Sequence, residues 1–254
     1  MKIDFSETFP HLPRAPIVEA VIDFRAKPTV PCQQEQFEKH LKAQLPDYPT
    51  IEPQRQFQFH LKAKSGKPLE SSSSDLGWHG LVLRSLDKLQ VAQFQKDGFS
   101  FNRLQPYQQW ELFQAEALRL WQIYRELTQP AEIQRVGVRF INRMVFPTEG
   151  IRLDEYLVTP PQPPSSFPLS LAGFFHHDTF VVPDSIYVIQ VIRTTQPPEG
   201  APPKVPVILD IDVFTNSPLE LGVGVLEAKL PEMRWLKNKV FFANISPKSL
   251  ELFK

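Results

Sequence analysis

The chain has 254 residues, with 28 Lys+Arg balanced by 28 Asp+Glu, so global charge makes no case for a polyanion or an acidic membrane as partner. Apolar residues make up 42% and charged residues 22%, an ordinary mixture for a chain long enough to bury roughly 70–75% of its unfolded surface without disulfides or metal. One cysteine, Cys32, excludes an intrachain disulfide and argues against a structural Cys-ligated zinc.

The opening Met1-Lys2-Ile3-Asp4-Phe5-Ser6-Glu7 has no apolar core of a signal peptide. No stretch approaches about 18 uncharged apolar residues, so no membrane span is expected. With a single thiol, the expectation is a cytoplasmic protein that needs no cofactor to fold.

In chain order, Ile17–Arg25 is rich in β-formers. Strict alternation places Val18, Ala20, Ile22 and Phe24 on one face, and Ile17, Glu19, Val21, Asp23 and Arg25 on the other. An amphipathic helix is predicted over 33–45, with Phe37, Leu41 and Leu45 on one stripe. Phe57, Phe59 and Leu61 alternate with Gln56, Gln58, His60 and Lys62, the pattern of a half-buried strand. Residues 64–77, with the run Ser71-Ser72-Ser73-Ser74, are expected to be an exposed loop. Strands follow over 81–85, 89–94 and 99–103, the last two flanking a Lys96-Asp97-Gly98 hairpin turn. Residues 107–127 form a long predicted helix whose Trp110, Phe113, Ala117, Leu120, Trp121, Tyr124 and Leu127 recur at helical spacing, as a core face does.

The pattern then restarts. Residues 135–146 read as a strand with Val136, Val138, Phe140, Met144 and Phe146 on one face and Arg135, Arg139 and Arg143 on the other. A short helix is expected over 154–158, and strands over 173–182, 186–194 and 205–214. The Pro-rich runs 160–168 and 197–206 are excluded from central strand or helix. A C-terminal helix over 225–243 turns Leu226, Leu230, Met233, Leu236, Val240 and Phe241 inward, with Pro231 near its start or kinking it. Ser246-Pro247 is an N-cap and first-turn pair for a final short helix.

The expected fold class is therefore α+β: an antiparallel sheet with helices on one face. Residues 1–14 form an N-terminal extension, and two halves of similar element order, 15–129 and 130–254, follow. The order resembles the tandem repeat of the TATA-binding-protein fold, in which the first strands of the two halves meet at the centre of a saddle. A single sheet gripping one helix is the alternative. The resemblance implies that Glu19 and Asp23 lie beside Arg139 and Arg143 on an uncovered face. Gln56, Gln58, His60, Lys62, Gln93 and Gln95 would flank them on a polar platform.

Two segments also resemble a sporadically distributed family of uncharacterised prokaryotic proteins. The opening Leu12-Pro13-Arg14-Ala15-Pro16-Ile17-Val18-Glu19-Ala20-Val21-Ile22 is similar to its first signature. The aromatic helix with Arg135-Val136-Gly137-Val138-Arg139-Phe140-Ile141-Asn142-Arg143 is similar to its middle one. The resemblance implies an accessory gene of the defence or toxin–antitoxin kind, and it carries no activity.

Catalytic patterns are sparse. Gly222-Val223-Gly224 is the only G-x-G and lacks the third glycine or Lys-Ser/Thr of a phosphate loop. Asp210 and Asp212 share one face of a strand, their Cα atoms about 7 Å apart, a spacing that could hold a divalent cation for phosphoryl or nucleotidyl transfer. Two acids facing solvent or pairing with Arg193 is the competing reading. His176 and His177 are adjacent in a strand and so point to opposite faces. Cys32 follows Pro31 at a helix start, where a thiol could be acidified. Arg234, Trp235, Lys237 and Lys239 crowd into six residues, a basic segment with an aromatic suited to nucleic acid. The leading expectation is a non-enzymatic module that binds another protein through the open sheet face and the Pro-rich loops. Nucleic-acid binding and a metal-assisted enzyme at Asp210 and Asp212 are the alternatives.

Overall fold

The computed structural model describes residues 3–62, 70–146, 153–164, 166, 169, 171–201 and 204–254; the side chains of His60, Lys62 and Glu70 lie outside that set. The elements are β1 (Ile17–Arg25), α1 (Gln34–Gln44), β2 (Thr50–Lys62), β3 (Glu70–Arg84), β4 (Gln90–Gln95), β5 (Gly98–Leu104), α2 (Trp110–Thr128), β6 (Glu132–Ile133), β7 (Arg135–Val145), β8 (Phe175–Val181), β9 (Tyr187–Thr195), β10 (Pro206–Thr215), β11 (Leu219–Glu220), α3 (Val225–Asn244) and α4 (Pro247–Glu251).

Among the described residues nine strands form one antiparallel sheet in the order β2-β3-β4-β5-β1-β7-β10-β9-β8. The two halves of the chain meet at its centre, where β1 pairs antiparallel with β7 and Val21 lies opposite Arg139. From that seam each half builds outward, β1 through β5 and β4 on one side, β7 through β10 and β9 on the other. The fold is α+β, and the halves share a sheet instead of gripping one helix. In the second half, residues 154–156 are a turn where a helix was expected, closed by the Leu157 N–H donating to Leu153 O at 2.9 Å.

One face of the sheet carries the core. Ala20, Ile22 and Phe24 of β1, Val136, Val138 and Phe140 of β7, and Val207, Leu209, Ile211 and Val213 of β10 are all buried. Against them α2 presents the aromatic stripe read from its spacing: Trp121 stacks on Phe24 at 4.6 Å between ring centroids, and Phe113 meets Phe101 at 5.5 Å. The buried Leu226, Leu230, Met233, Leu236 and Phe241 of α3 extend the same cluster across the second half, so one core serves both. At α4, Ser246 caps the helix by accepting from the Ser249 N–H, with Pro247 in the first turn.

Gly98 has a steric role at the β1–β5 pairing. A Cβ there would stand 2.3 Å from the backbone oxygen of Phe24, so only glycine lets the strands approach this closely.

Three local expectations are corrected, and one short strand pair lies outside them. A register shift between Ile17 and Glu19 turns Ile17 to the core side, where strict alternation had put it outside. Ser71 to Ser74 lie in β3, paired with Leu61 to Gln58 of β2; ladder hydrogen bonds outweigh the weak strand propensity of serine there. Because β4 pairs only with residues 80–84 of β3, the far part of the β2–β3 hairpin projects beyond the sheet, with no layer against it among the described residues. Phe59 is therefore 75% exposed and Leu61 69%, not half-buried. Finally, the short antiparallel pair β6–β11 has too little sequence to carry a periodic signal.

Candidate functional site

The face opposite the core carries the polar residues of the central strands, and among the described residues no helix packs on it. Its centre is the β1–β7–β10 seam. Opposite register positions there bring together Asp23, Gly137 and Phe214 in one row and Val21, Arg139 and Asp212 in the next. Arg135 stands over the end of the first row and donates to both Asp23 (2.6 and 2.8 Å) and Asp212 (2.8 Å). Its guanidinium also lies 4.5 Å from the centre of the Phe214 ring, which holds it flat against the sheet. Arg139 makes a two-pronged contact with Asp210 at 2.8 and 2.5 Å, the planar fork matching the carboxylate.

Gly137 makes this arrangement sterically available. It lies between Arg135 and Arg139 on the open face, and a Cβ there would fall 2.1 Å from Asp23 Oδ1 and 2.7 Å from Arg135 Nη1. The ion pair thus lies directly across the bare backbone. A shallow hollow of about 530 Å³ opens over this floor, bounded by Glu19, Asp23, Arg135, Arg139, Asp212 and the amides Gln93, Gln95 and Asn102.

An amide chain continues the network toward the outer strands. Asn102 donates to Glu19 at 2.6 Å, Gln54 to Gln93 at 3.2 Å and Gln95 to Gln54 at 3.2 Å. On the opposite rim Arg143 donates to Gln196 at 2.8 Å and pairs with Glu199, residues of the β9–β10 connection. The hollow is close to charge-balanced: Glu19, Asp23 and Asp212 face Arg25, Arg135 and Arg139.

Asp212 is the exception to a fully compensated site. Its Oδ1 is buried without a hydrogen-bond partner among the described residues. Burial pushes its carboxyl up to about 6, against the pull of Arg135 and Arg139 and with a further push from Asp23 and Asp210. Asp23, Asp210 and Asp212 share the guanidiniums of Arg135 and Arg139, and Asp212 is the one left with a buried oxygen unpaired among the described residues.

The structure brings together Glu19, Asp23 and Arg139 as expected, and sets Arg143 at the rim. Gln56 and Gln58 are elsewhere, on the projecting β2–β3 arm and exposed; the amides that reach the hollow are Gln93, Gln95 and Asn102, with Gln54 in the network behind them. The side chain of His60 lies outside the described residues. Sequence reading missed Arg135 as the central cation. Its alternation with Gly137 and Arg139 carried the signal, because a glycine between two arginines on one strand face marks a place where long side chains can lie down.

Asp210 and Asp212 do share the open face, but their partners are Arg139 and Arg135, not Arg193. Arg193 pairs in register with Leu209 and so points to the helix side, where it meets Asp178 at 2.8 Å. With arginine nitrogens on both Asp210 oxygens and one of Asp212, the pair does not offer a free acid set to a cation. Among the described residues no group of three His, Cys, Asp or Glu forms a metal cluster. His176 and His177 point to opposite faces of β8, His176 sharing a register position with Arg193. Cys32 is half-buried, and burial raises its thiol, the opposite of nucleophile activation.

The basic C-terminal cluster does not form a patch. Arg234 pairs with Glu111 at 2.9 Å, and Lys239 with Glu7 at 2.9 Å. Trp235 donates its indole N–H to Glu7 O at 2.9 Å and packs against Phe5 and Phe9. Lys237 points inward. The N-terminal segment thus engages Trp235 and Lys239, while Arg234 is paired by α2.

No helix among the described residues is long and apolar enough to cross a membrane. Comparison of the chain with protein-family models and with curated proteins finds no match.

Proposed function

We propose that this chain is a cytoplasmic, non-enzymatic interaction module that receives a segment of another protein on the open face of its sheet. The observation that carries the reading is the polar hollow over Gly137, uncovered by any described helix and lined by equal numbers of acids and bases. A polyanion demands a surplus of positive charge. A balanced set of fixed charges with flanking amides instead suits a polypeptide, whose side chains and backbone supply both signs, donors and acceptors. Because the arginines are already held by their carboxylates and by Phe214, little side-chain entropy is lost when a partner docks. The opening and middle signatures support membership of the sporadically distributed prokaryotic family, and with it an accessory-locus partner.

The test is affinity capture from the native host with the wild type, Arg139→Ala, and the helix-side control Gln122→Ala. A partner protein retained by wild type and control and lost with Arg139→Ala supports the reading. An identical capture profile for all three removes it. A gel-shift titration in which the protein binds nucleic acid at low salt and releases it as salt rises would move the assignment to nucleic-acid recognition.

A further inference from the structure

A separate cavity of about 230 Å³ lies on the helix side of the sheet, where residues 9–17, the start of α2, β7 and the later turns of α3 converge. Beside it lies the fully buried ring of Phe140, with Tyr107 edge-on to that ring at 5.4 Å and Trp110 at 6.4 Å between centroids. Lys237 reaches in from α3 and sets its Nζ 3.9 Å from the centre of the Phe140 ring. It makes no hydrogen bond or salt bridge to a described residue. Glu111 is the one acid lining the cavity, and it is taken by Arg234 at 2.9 Å. When Lys237 is protonated the cavity therefore holds one positive charge in excess, at an ammonium among aromatic walls.

This placement is costly for a lysine. Its four-carbon stem normally lets the ammonium reach water, as Lys239 does two residues on. Burial, aided by Arg234, lowers the Lys237 amine to about 7. At neutral pH the amine is only partly protonated, and an anion entering the cavity would favour its charged form. The buried amide of Asn142 adds a polar group to the same wall, its Nδ2 held by Leu209 O at 2.9 Å.

We propose that this cavity binds a small monocarboxylate with a short apolar body, its carboxylate on Lys237 and its body against Tyr107, Trp110 and Phe241. A single negative charge matches the single excess positive one. The volume exceeds the about 150 Å³ of a protein cavity known to admit benzene, so a benzoate- or hexanoate-sized molecule fits. Residues 9–17 form one wall and are held by the stacking of Phe9 on Phe242 at 5.2 Å and by Arg14 N–H donating to Phe253 O at 3.1 Å. The site lies across the sheet from the open face and stands independently of the interaction reading.

The experiment is calorimetric titration of the full chain with benzoate and hexanoate, alongside benzamide and hexanamide as uncharged counterparts. Saturable one-to-one binding of at least one carboxylate, with the amides about tenfold weaker or silent, is expected. Lys237→Met should abolish the carboxylate preference, while Lys237→Arg retains it. Ala15→Phe fills the cavity from the N-terminal wall without touching the charge and should block both ligands. Should Lys237→Met fail to fold, the Ala15→Phe variant and the amide comparison decide alone. The proposal is overturned by absence of saturable carboxylate binding, by equal binding of acids and amides, or by undiminished binding in folded Lys237→Met or Ala15→Phe.

Discussion

Replacing Asp212 with asparagine should make the protein more stable at alkaline pH, although it removes one partner of a salt bridge. In the unfolded chain the Asp212 carboxyl loses its proton near its ordinary 3.8, and in the folded protein near 6, because burial disfavours the anion. Between those values the folded state holds the extra proton, so this group's contribution to stability falls as pH rises through the window and stays low above it. A separation of about two pH units corresponds to about 3 kcal/mol. Asparagine removes that cost, keeps a carbonyl for Arg135, and leaves Asp23 as a charged partner for that arginine. That shift already includes the pull of Arg135 and Arg139, so the gain at about pH 8 should be up to about 3 kcal/mol. Near pH 4 the native aspartic acid is itself neutral, and the advantage should vanish. Urea denaturation of both proteins at the two pH values measures the difference. Lower stability of Asp212→Asn at pH 8, or an equal difference at both pH values, would refute the account of Asp212 as the surplus charge of the cluster.

Two further substitutions probe the framework that holds the two sites. Gly98→Ala forces a Cβ against the backbone of Phe24, which cannot swing aside as a side chain can, and should cost about 2–4 kcal/mol in chemical denaturation; a loss below about 0.5 kcal/mol would show that β1 and β5 separate easily. Trp121→Ala removes a buried ring stacked on Phe24 and should cost about 3–5 kcal/mol, with unfolding of both halves in one transition because they share a core. Two separate transitions would refute that continuity.

The open-face site was partly legible before its geometry was known. Alternation in β1 and β7 put Glu19, Asp23, Arg135, Arg139 and Arg143 on faces opposite the apolar residues, because side chains alternate sides along a strand. Element order brought β1 to β7. The outer part of the platform was misread: Gln56 and Gln58 alternate as regularly as Gln93 and Gln95, yet only the latter pair sits where β4 is flanked by strands on both sides. Nothing within β2 records how far its partner extends beyond β4.

Local pattern alone, then, determined that α2 is a helix with one aromatic face, that β1, β7 and β10 are two-sided strands, and that Ser246 starts the last turn. Each of these depends on a repeat or a cap within a few residues. Tertiary structure alone decided which carboxylate faces which guanidinium, that Asp212 is left with a buried oxygen unpaired, and that Lys237 turns inward while Lys239 reaches Glu7. Those outcomes arise from strand neighbours and chain crossings 71 to 232 residues apart, where charge, burial and space are set by groups that no local repeat encodes.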